Sequence, residues 1–314
     1  MTHCYNVQHN RRVDPDQMRA MNVVVMAALI AVFTVMVWVV GSNSSAYARA
    51  DRFSQRSRLP YGTTQTRESV VRHVQSASRA GTIAALAGLL AASCLLFTPL
   101  ATTPVFLFVV VFPVLIVTGT VSAAVSVRER LFHPAPDAPR IARARALGVG
   151  DYLDPFRRLL PWALAACATL ALVTVWVSGT GRRERTGEAL AVSLLIVAIV
   201  AVAAFVAVPI LERKVLDQPQ PASDTLELAW DDAFRATTIG QLHLSLAFAA
   251  WIVLALSVGV LWPGADGPFT GLAAQVPTWG IIALQFVYPN TGRPLPAGLY
   301  PEWLRRPVAE GTAA

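Results

Sequence analysis

A stripe of polar side chains within an otherwise apolar stretch is the first candidate for chemistry in this sequence. Gln275, Thr278 and Gln285 fall within an arc of about 80° when residues 270–288 are drawn as a helix. Two amides in hydrocarbon need hydrogen-bond partners. The stripe therefore predicts either contacts with neighbouring helices or the wall of a cavity for a neutral or amphipathic solute.

Recognisable catalytic and metal-binding motifs are missing from the sequence. It contains no Walker A sequence, no H-E-x-x-H and no G-x-S-x-G, and Cys4, Cys94 and Cys167 have no metal-ligand spacing. The histidines are scattered, and we interpret His243 as a structural residue at the membrane interface. We expect no catalytic residue, no metal and no cofactor, and an enzyme acting on lipid is the least supported function.

An acidic tract, Leu211 to Gln241, contains a candidate docking helix. Asp224 and Glu227 have capping-box spacing, with Asp in place of the usual Ser or Thr. The helix that follows carries its apolar side chains together: Leu226, Trp230, Ala233 and, at the edge, Phe234. Because Asp231 and Asp232 on the other side would be repelled by an anionic membrane, we expect this face to pack on the chain's own loops or to dock in a partner's groove.

The acidic tract also carries the one family resemblance in the sequence. It resembles tracts in uncharacterised actinobacterial multi-span membrane proteins, and the strong preference for arginine, with Lys214 as the single lysine, fits that origin. The resemblance covers about a tenth of the chain. It implies no function and assigns no role to any residue.

A cluster of arginines follows the first apolar stretch. Arg49, Arg52, Arg56 and Arg58 lie close to the membrane exit, where each basic residue contributes roughly 1 kcal/mol of attraction to an anionic leaflet. The cluster predicts contact with anionic phospholipid headgroups. It does not predict nucleic-acid binding, because no DNA- or RNA-binding motif accompanies it.

The secondary-structure elements that must position these residues have the hydrophobic pattern of a membrane protein. Hydrophobic residues make up 54% of the 314 residues, and charged residues only 14%. Charge-free runs of about 20 residues, the length needed to cross a bilayer, occur seven times, at residues 22–40, 81–100, 104–126, 160–179, 189–211, 244–262 and 270–288. The sequence predicts a single all-α, polytopic bundle with short amphipathic helices, one of them at Thr66 to Ser78. The last run is the weakest, and a re-entrant segment is its alternative.

The distribution of basic residues predicts the orientation of the bundle. Twenty of the 26 Lys and Arg residues fall after the first, third, fifth and seventh runs, so loops 41–80, 127–159 and 212–243 should be cytoplasmic. We therefore expect a bacterial inner-membrane protein with its N-terminus outside and its C-terminus inside. The alternative is that residues 1–48 form a cleaved signal peptide, since Ala46-Tyr47-Ala48 has the form of a cleavage site.

Small residues predict where two of the helices meet. Ala84, Gly88 and Ala92 recur at four-residue spacing in the second run, and Gly119 and Ala123 repeat the spacing in the third. Such ridges let helix backbones approach closely. We expect a tight pair within the chain, with a dimerisation ridge as the alternative.

Two functions fit these patterns. The first is a permease-like or accessory subunit of a transport complex, energised by a soluble cytoplasmic ATPase or regulator, because the chain has neither a nucleotide site nor ionisable residues within its runs. The second is a membrane scaffold or regulatory protein without transport activity.

Overall fold

The computed structural model describes residues 14–103, 105–129, 131–132, 147–178, 185–220, 222–261, 270–288 and 294–305, with backbone alone at 185–191, 270–275, 297 and 305. The helices are α1 (Pro15–Gly41), α2 (Asn43–Ser57), α3 (Thr64–Ala92), α4 (Phe106–Arg128), α5 (Val149–Tyr152), α6 (Pro155–Ser178), α7 (Arg185–Asp217), α8 (Thr225–Leu261), α9 (Thr270–Val287) and α10 (Glu302–Arg305). Two 3₁₀ turns, Ser93–Phe97 and Pro99–Thr102, join α3 to α4.

Helix α8 is the centre of the bundle. In the apolar 18-residue stretch of α8, 67% of the residues are buried, compared with 6% in the corresponding stretch of α1. Helices α4, α6, α7 and α9 pack on α8, α3 packs on α4, and α1 packs on α3. The peripheral helices keep many apolar side chains exposed, such as Val24 and Val35 of α1. That exposure is what lipid-facing helices require, since lipid tails are as apolar as these side chains.

The all-α, membrane-spanning fold class is confirmed. Six helices of the described chain are long and apolar enough to cross a membrane: α1, α3 with its 3₁₀ extension, α4, α6, α7 and α8. The seventh predicted run corresponds to α9, whose described apolar part, Val276–Val287, is shorter than a span. A full crossing by α9 stays a prediction.

Two amphipathic segments, one predicted as a short interfacial helix and one predicted to lead into a span, are continuous with a spanning helix. The predicted interfacial helix at residues 66–78 is the first part of α3, and the amphipathic helix after Asp224 is the first part of α8. Neither junction contains a proline, and the glycines there, Gly81 and Gly240, are tolerated within a helix. A change from polar to apolar composition does not end a helix, so the predicted interfacial helix is part of α3 and is not a separate element.

The two ends of the bundle differ in their content of arginine. At one end, α1, α4, α7 and α9 finish and α3, α6 and α8 begin; we call it the arginine-rich end, because Arg49, Arg52, Arg56, Arg58, Arg67, Arg72, Arg128, Arg157 and Arg235 lie there. Segment 294–305 joins this end through Tyr300, whose hydroxyl donates to the Ser57 carbonyl at 2.6 Å. The start of α1 lies at the opposite end, where Arg19 donates to the Leu96 carbonyl at 2.8 Å.

Helices α3 and α4 form a closely packed pair. A Cβ atom added to Gly88 would lie 3.1 Å from Cγ2 of Val114, and one added to Gly81 would lie 3.3 Å from Cβ of Ser122. Ala84 and Ala92 are half-buried on α3, and Ala123 is buried on α4. Gly119 differs from the prediction, because it faces Ser245 of α8, whose Oγ would lie 2.6 Å from an added Cβ. The single glycine of α4 therefore lies at a second helix contact, with α8.

Candidate functional site

A cavity of about 400 Å³ lies at the arginine-rich end, between α2, α3, α4 and α8. Helices α3 and α8 both pack on α4, and α2 packs on α3 and reaches α8 through the ring of Phe53. The apolar part of the wall includes Phe53, Val74 and Phe234. The spanning helices α3, α4 and α8 therefore form most of the cavity wall, and α2, which follows the first span, forms the rest.

Hydroxyl groups form much of the polar wall. Thr82, Thr118 and Thr237 each donate to the carbonyl four residues earlier, at 2.7 to 2.9 Å, and Ser122 donates to the Ala77 carbonyl at 3.1 Å. A hydroxyl that donates its proton to the backbone still has an oxygen that accepts. This part of the wall therefore offers hydrogen-bond acceptors to a ligand.

Two cationic or protonatable side chains line the same cavity with hydrogen-bonding capacity unused. Arg49 donates to Ser45 Oγ at 2.6 Å and to the Val40 carbonyl at 2.8 Å, and its Nε has no partner. Burial lowers the pKa of Arg49. His73 is 6% exposed, its ring meets the edge of Phe234, and neither ring nitrogen has a partner. A buried polar group without a partner costs about 1 to 3 kcal/mol, so these groups mark a place where a partner is needed.

A network of buried charged and polar side chains lies close to His73. Asp232 accepts from the Tyr152 hydroxyl at 3.0 Å and from Gln220 at 2.9 Å. Arg235 donates to Asp231 at 2.8 Å and to the carbonyls of Val215 at 3.0 Å and Gln218 at 2.6 Å. The guanidinium thus satisfies carbonyls at the end of α7 that would otherwise lack partners. Burial and the neighbouring Asp232 raise the pKa of Tyr152.

A second, smaller cavity borders this network and shares His73 with the first cavity. Its volume of about 20 Å³ is bounded by residues that include His73, Gln218, Asp231 and Arg235. That space is enough for about one water molecule with several polar neighbours. His243 lies further along α8, with its Nε2 2.6 Å from Glu212 of α7. Glu212 lies on α7, and Asp231 and Asp232 lie on the first part of α8, on the helix where the sequence predicted them.

The predicted docking face of α8 is covered by the chain itself. Trp230 is fully buried, its Nε1 donates to the Pro60 carbonyl at 3.0 Å, and its ring stacks on Tyr61 at 5.4 Å between centroids. Phe234 stacks on Phe53 at 4.6 Å, and Ala233 is buried. Leu226 packs against Gly62. The chain's own α2 and the loop that follows it therefore cover this face, which is one of the two occupants that the sequence predicted.

The polar stripe of α9 lies away from the cavity. Thr278 and Gln285 are exposed, and the side chain of Gln275 lies outside the described residues. Helix α9 turns a different face to α8: Trp251 of α8 packs against Gly280 and donates to the Pro277 carbonyl at 3.1 Å. A prediction based on one helix could not determine which face would meet α8.

The four predicted lipid-contact arginines divide into two groups. Arg52, Arg56 and Arg58 are exposed, whereas Arg49 is half-buried and faces the end of α1. Arg49 and Arg52 line the cavity. Sequence reasoning missed the cavity because its residues come from four helices, and the wall hydroxyls and His73 have no distinctive spacing within any one of them.

Comparisons with known proteins give no relative. No protein-family model, no curated protein and no solved structure matches the chain. The resemblance of the acidic tract to actinobacterial membrane proteins therefore stays a prediction. Within the described part of the chain, no group of three His, Cys, Asp or Glu side chains is placed to hold a metal ion.

Proposed function

We propose that the protein is a permease-like membrane subunit whose solute site is the cavity between α2, α3, α4 and α8. The observation that supports it is the combination of a cavity of about 400 Å³ with a hydroxyl-rich wall and unsatisfied Arg49 and His73. Ligand sites are concave, largely apolar and carry a few convergent polar groups. Toward the opposite end, Gly88 packs closely against Val114 of the same pair of helices, so a solute path through the membrane requires that end to open.

We also propose that the arginine-rich end is cytoplasmic in a bacterial inner membrane. Most of the described arginines gather there, and positive residues are enriched in cytoplasmic segments. The exposed Arg52, Arg56 and Arg58 then lie beside an anionic leaflet. A soluble ATPase or regulator would have to dock on exposed surface at this end, because the apolar face of α8 is covered.

A scaffold or regulatory protein without transport is the second candidate. It is favoured by the first half of α8, which is fixed on one side by Trp230 and Phe53 and on the other by Arg235 and Asp232. A helix that is fixed on both sides is suited to a rigid structural role. The two candidates differ in the motion that they require, since transport needs two arrangements of the helices.

Distance measurements between spin labels separate the two candidates. Labels at Phe97→Cys and Trp176→Cys, both exposed near the opposite end, are introduced into a chain with Cys4, Cys94 and Cys167 changed to Ser. If the protein is a permease, we expect two distances between the spin labels. The populations of these two distances should change when the solution conditions change. A single narrow distance under all conditions would contradict the permease and favour the scaffold. Labels at Trp162→Cys and Val173→Cys, both on α6, provide the rigid control.

A further inference from the structure

We propose that the cavity binds a phosphate ester, with the phosphate at Arg49 and His73 and the donor groups of the ester at the hydroxyl wall. This inference rests on the proposed function, because it names the ligand class of the same site. It goes beyond the predicted attraction of the arginine cluster to lipid headgroups. It distinguishes Arg49 in the cavity from Arg56 on the outer surface.

The position of Arg49 is the first argument. Its guanidinium donates to the carbonyl of Val40, the next-to-last residue of α1, and Gln75 donates to the neighbouring Gly41 carbonyl at 2.7 Å. The guanidinium therefore lies where the apolar helix α1 ends. That level is where phosphates lie at a membrane surface, and guanidinium groups bind phosphate through several hydrogen bonds.

The unused donors are the second argument. Arg49 Nε lacks a partner, and the exposed Arg52 lies on the same cavity. Burial lowers the pKa of His73 to about 4, so its ring is neutral at pH 7 and offers one unpartnered N–H donor and one unpartnered acceptor. Glu129, Asp231 and Glu212 do not line this cavity, so its described wall contributes positive charge without an acidic side chain. An anion relieves both the unsatisfied donors and the uncompensated charge.

The hydroxyl wall narrows the class of anion. Thr82, Thr118 and Thr237 give their protons to the backbone, so their oxygens are free to accept. A bare inorganic phosphate offers few donors to such oxygens, whereas an ester of glycerol carries hydroxyls. The ester comes either from an anionic phospholipid headgroup or from a soluble metabolite, and both share this chemistry.

Thermal unfolding in neutral detergent tests the proposal and distinguishes the two sources. Glycerol 3-phosphate is the soluble probe, a short-chain phosphatidylglycerol is the lipid probe, and a short-chain phosphatidylcholine is the neutral lipid control. We expect one phosphate probe to raise the unfolding midpoint by roughly 3 °C or more at saturation. Stabilisation by glycerol 3-phosphate alone identifies a soluble ester. Stabilisation by phosphatidylglycerol, without an effect of phosphatidylcholine or glycerol 3-phosphate, identifies a headgroup.

Matched substitutions decide whether the effect comes from the cavity. Arg49→Gln should abolish the shift, and Arg56→Gln, which removes the same charge from the exposed side of the same helix, should retain it. His73→Phe keeps the ring volume, and it should also abolish the shift, which keeps the test valid if Arg49→Gln does not fold. The proposal is overturned if neither probe stabilises the wild-type chain, or if Arg49→Gln and His73→Phe respond as the wild type does. Two spin-label distances together with no phosphate effect would leave the permease proposal standing and remove only the ligand class.

Discussion

Small residues line the contacts between α3, α4 and α8 in both halves of these helices. One half is closely packed, and the other contains a cavity. Toward the end where α1 begins, Gly88 of α3 faces the branched side chain of Val114 of α4, and the two helices are in close contact. We call this contact the closed seam. Toward the arginine-rich end, Gly81 of α3 also lies close to Ser122 of α4, but Thr82, Thr118 and Ser122 line a cavity beside this contact, which α2 and α8 complete. Small side chains allow two helices to approach closely, and they leave a cavity where no larger side chain fills the space beside the contact.

The polar and charged side chains also differ between the two ends. At the opposite end, Asn22 and Arg19 of α1 donate to the carbonyls of Ala101 and Leu96, each at 2.8 Å, so they are satisfied by the backbone of the turns after α3. At the arginine-rich end, Arg235, Asp231, Asp232 and Tyr152 satisfy one another and the end of α7. The first end is fastened by backbone contacts, and the second depends on buried side-chain charges. This difference leads to three predictions, from the largest expected effect to the smallest.

Removing the central guanidinium of the buried network should have the largest effect. Arg235→Leu leaves the Val215 and Gln218 carbonyls and Asp231 without their partner, and breaking a buried ion pair costs about 3 to 5 kcal/mol. Arg67→Leu is the control, because its pair with Asp51 is exposed and such pairs contribute at most about 1 kcal/mol. Thermal unfolding of the purified variants measures both. Equal losses of stability would show that the network does not hold this end together.

Overpacking the closed seam should have an intermediate effect. Gly88→Leu forces α3 away from Val114 and should cost about 1 to 3 kcal/mol. Gly259→Leu is the control, since this helical glycine of α8 has nothing within 4 Å of an added Cβ. Unfolding in detergent compares the two. A Gly88→Leu protein as stable as Gly259→Leu would mean that the seam is not closed in the membrane protein.

Loss of the hydrogen bond beneath α2 should have the smallest effect. Trp230→Phe removes the donor to the Pro60 carbonyl but keeps an aromatic ring against Tyr61, and the cost should be about 1 kcal/mol. Trp279→Phe, at an exposed site on α9, should be neutral. Stability by thermal unfolding and the yield of any co-purified soluble protein are measured together. Co-purification that depends on Trp230 while stability is unchanged would reinstate a partner on this face.

The sequence predicted features that depend on neighbours along one helix. Six runs long and apolar enough to cross a membrane followed from charge-free length. The spacing of Ala84 and Gly88 predicted a ridge of small residues, of which Gly88 lies against Val114 of α4. The apolar face of Trp230 and Phe234 was also visible from helical spacing. Its occupant was not, because Phe53, Pro60 and Tyr61 are far away in sequence and meet it only through the turn after α2.

The cavity was beyond the sequence for a similar physical reason. His73, Thr118, Thr237 and Arg49 lie on four helices, and each looks ordinary within its own helix. The sequence directed attention to Gln275, Thr278 and Gln285 because amides inside an apolar run are conspicuous. Hydroxyls that bond to their own helix are not, because they satisfy themselves locally and so cost little in hydrocarbon.

The sidedness of chemical access to the cavity tests the central claim most directly. Thr237→Cys lines the cavity, and Thr169→Cys is its matched control: both threonines donate to the carbonyl four residues earlier, and Thr169 is exposed on α6 where lipid is expected. In a chain without other cysteines, a membrane-impermeant maleimide should label Thr237→Cys in inside-out vesicles but not in intact cells, and should leave Thr169→Cys unlabelled in both. Labelling of Thr237→Cys from outside intact cells, or no labelling from either side, would contradict a water-filled cavity open at a cytoplasmic, arginine-rich end.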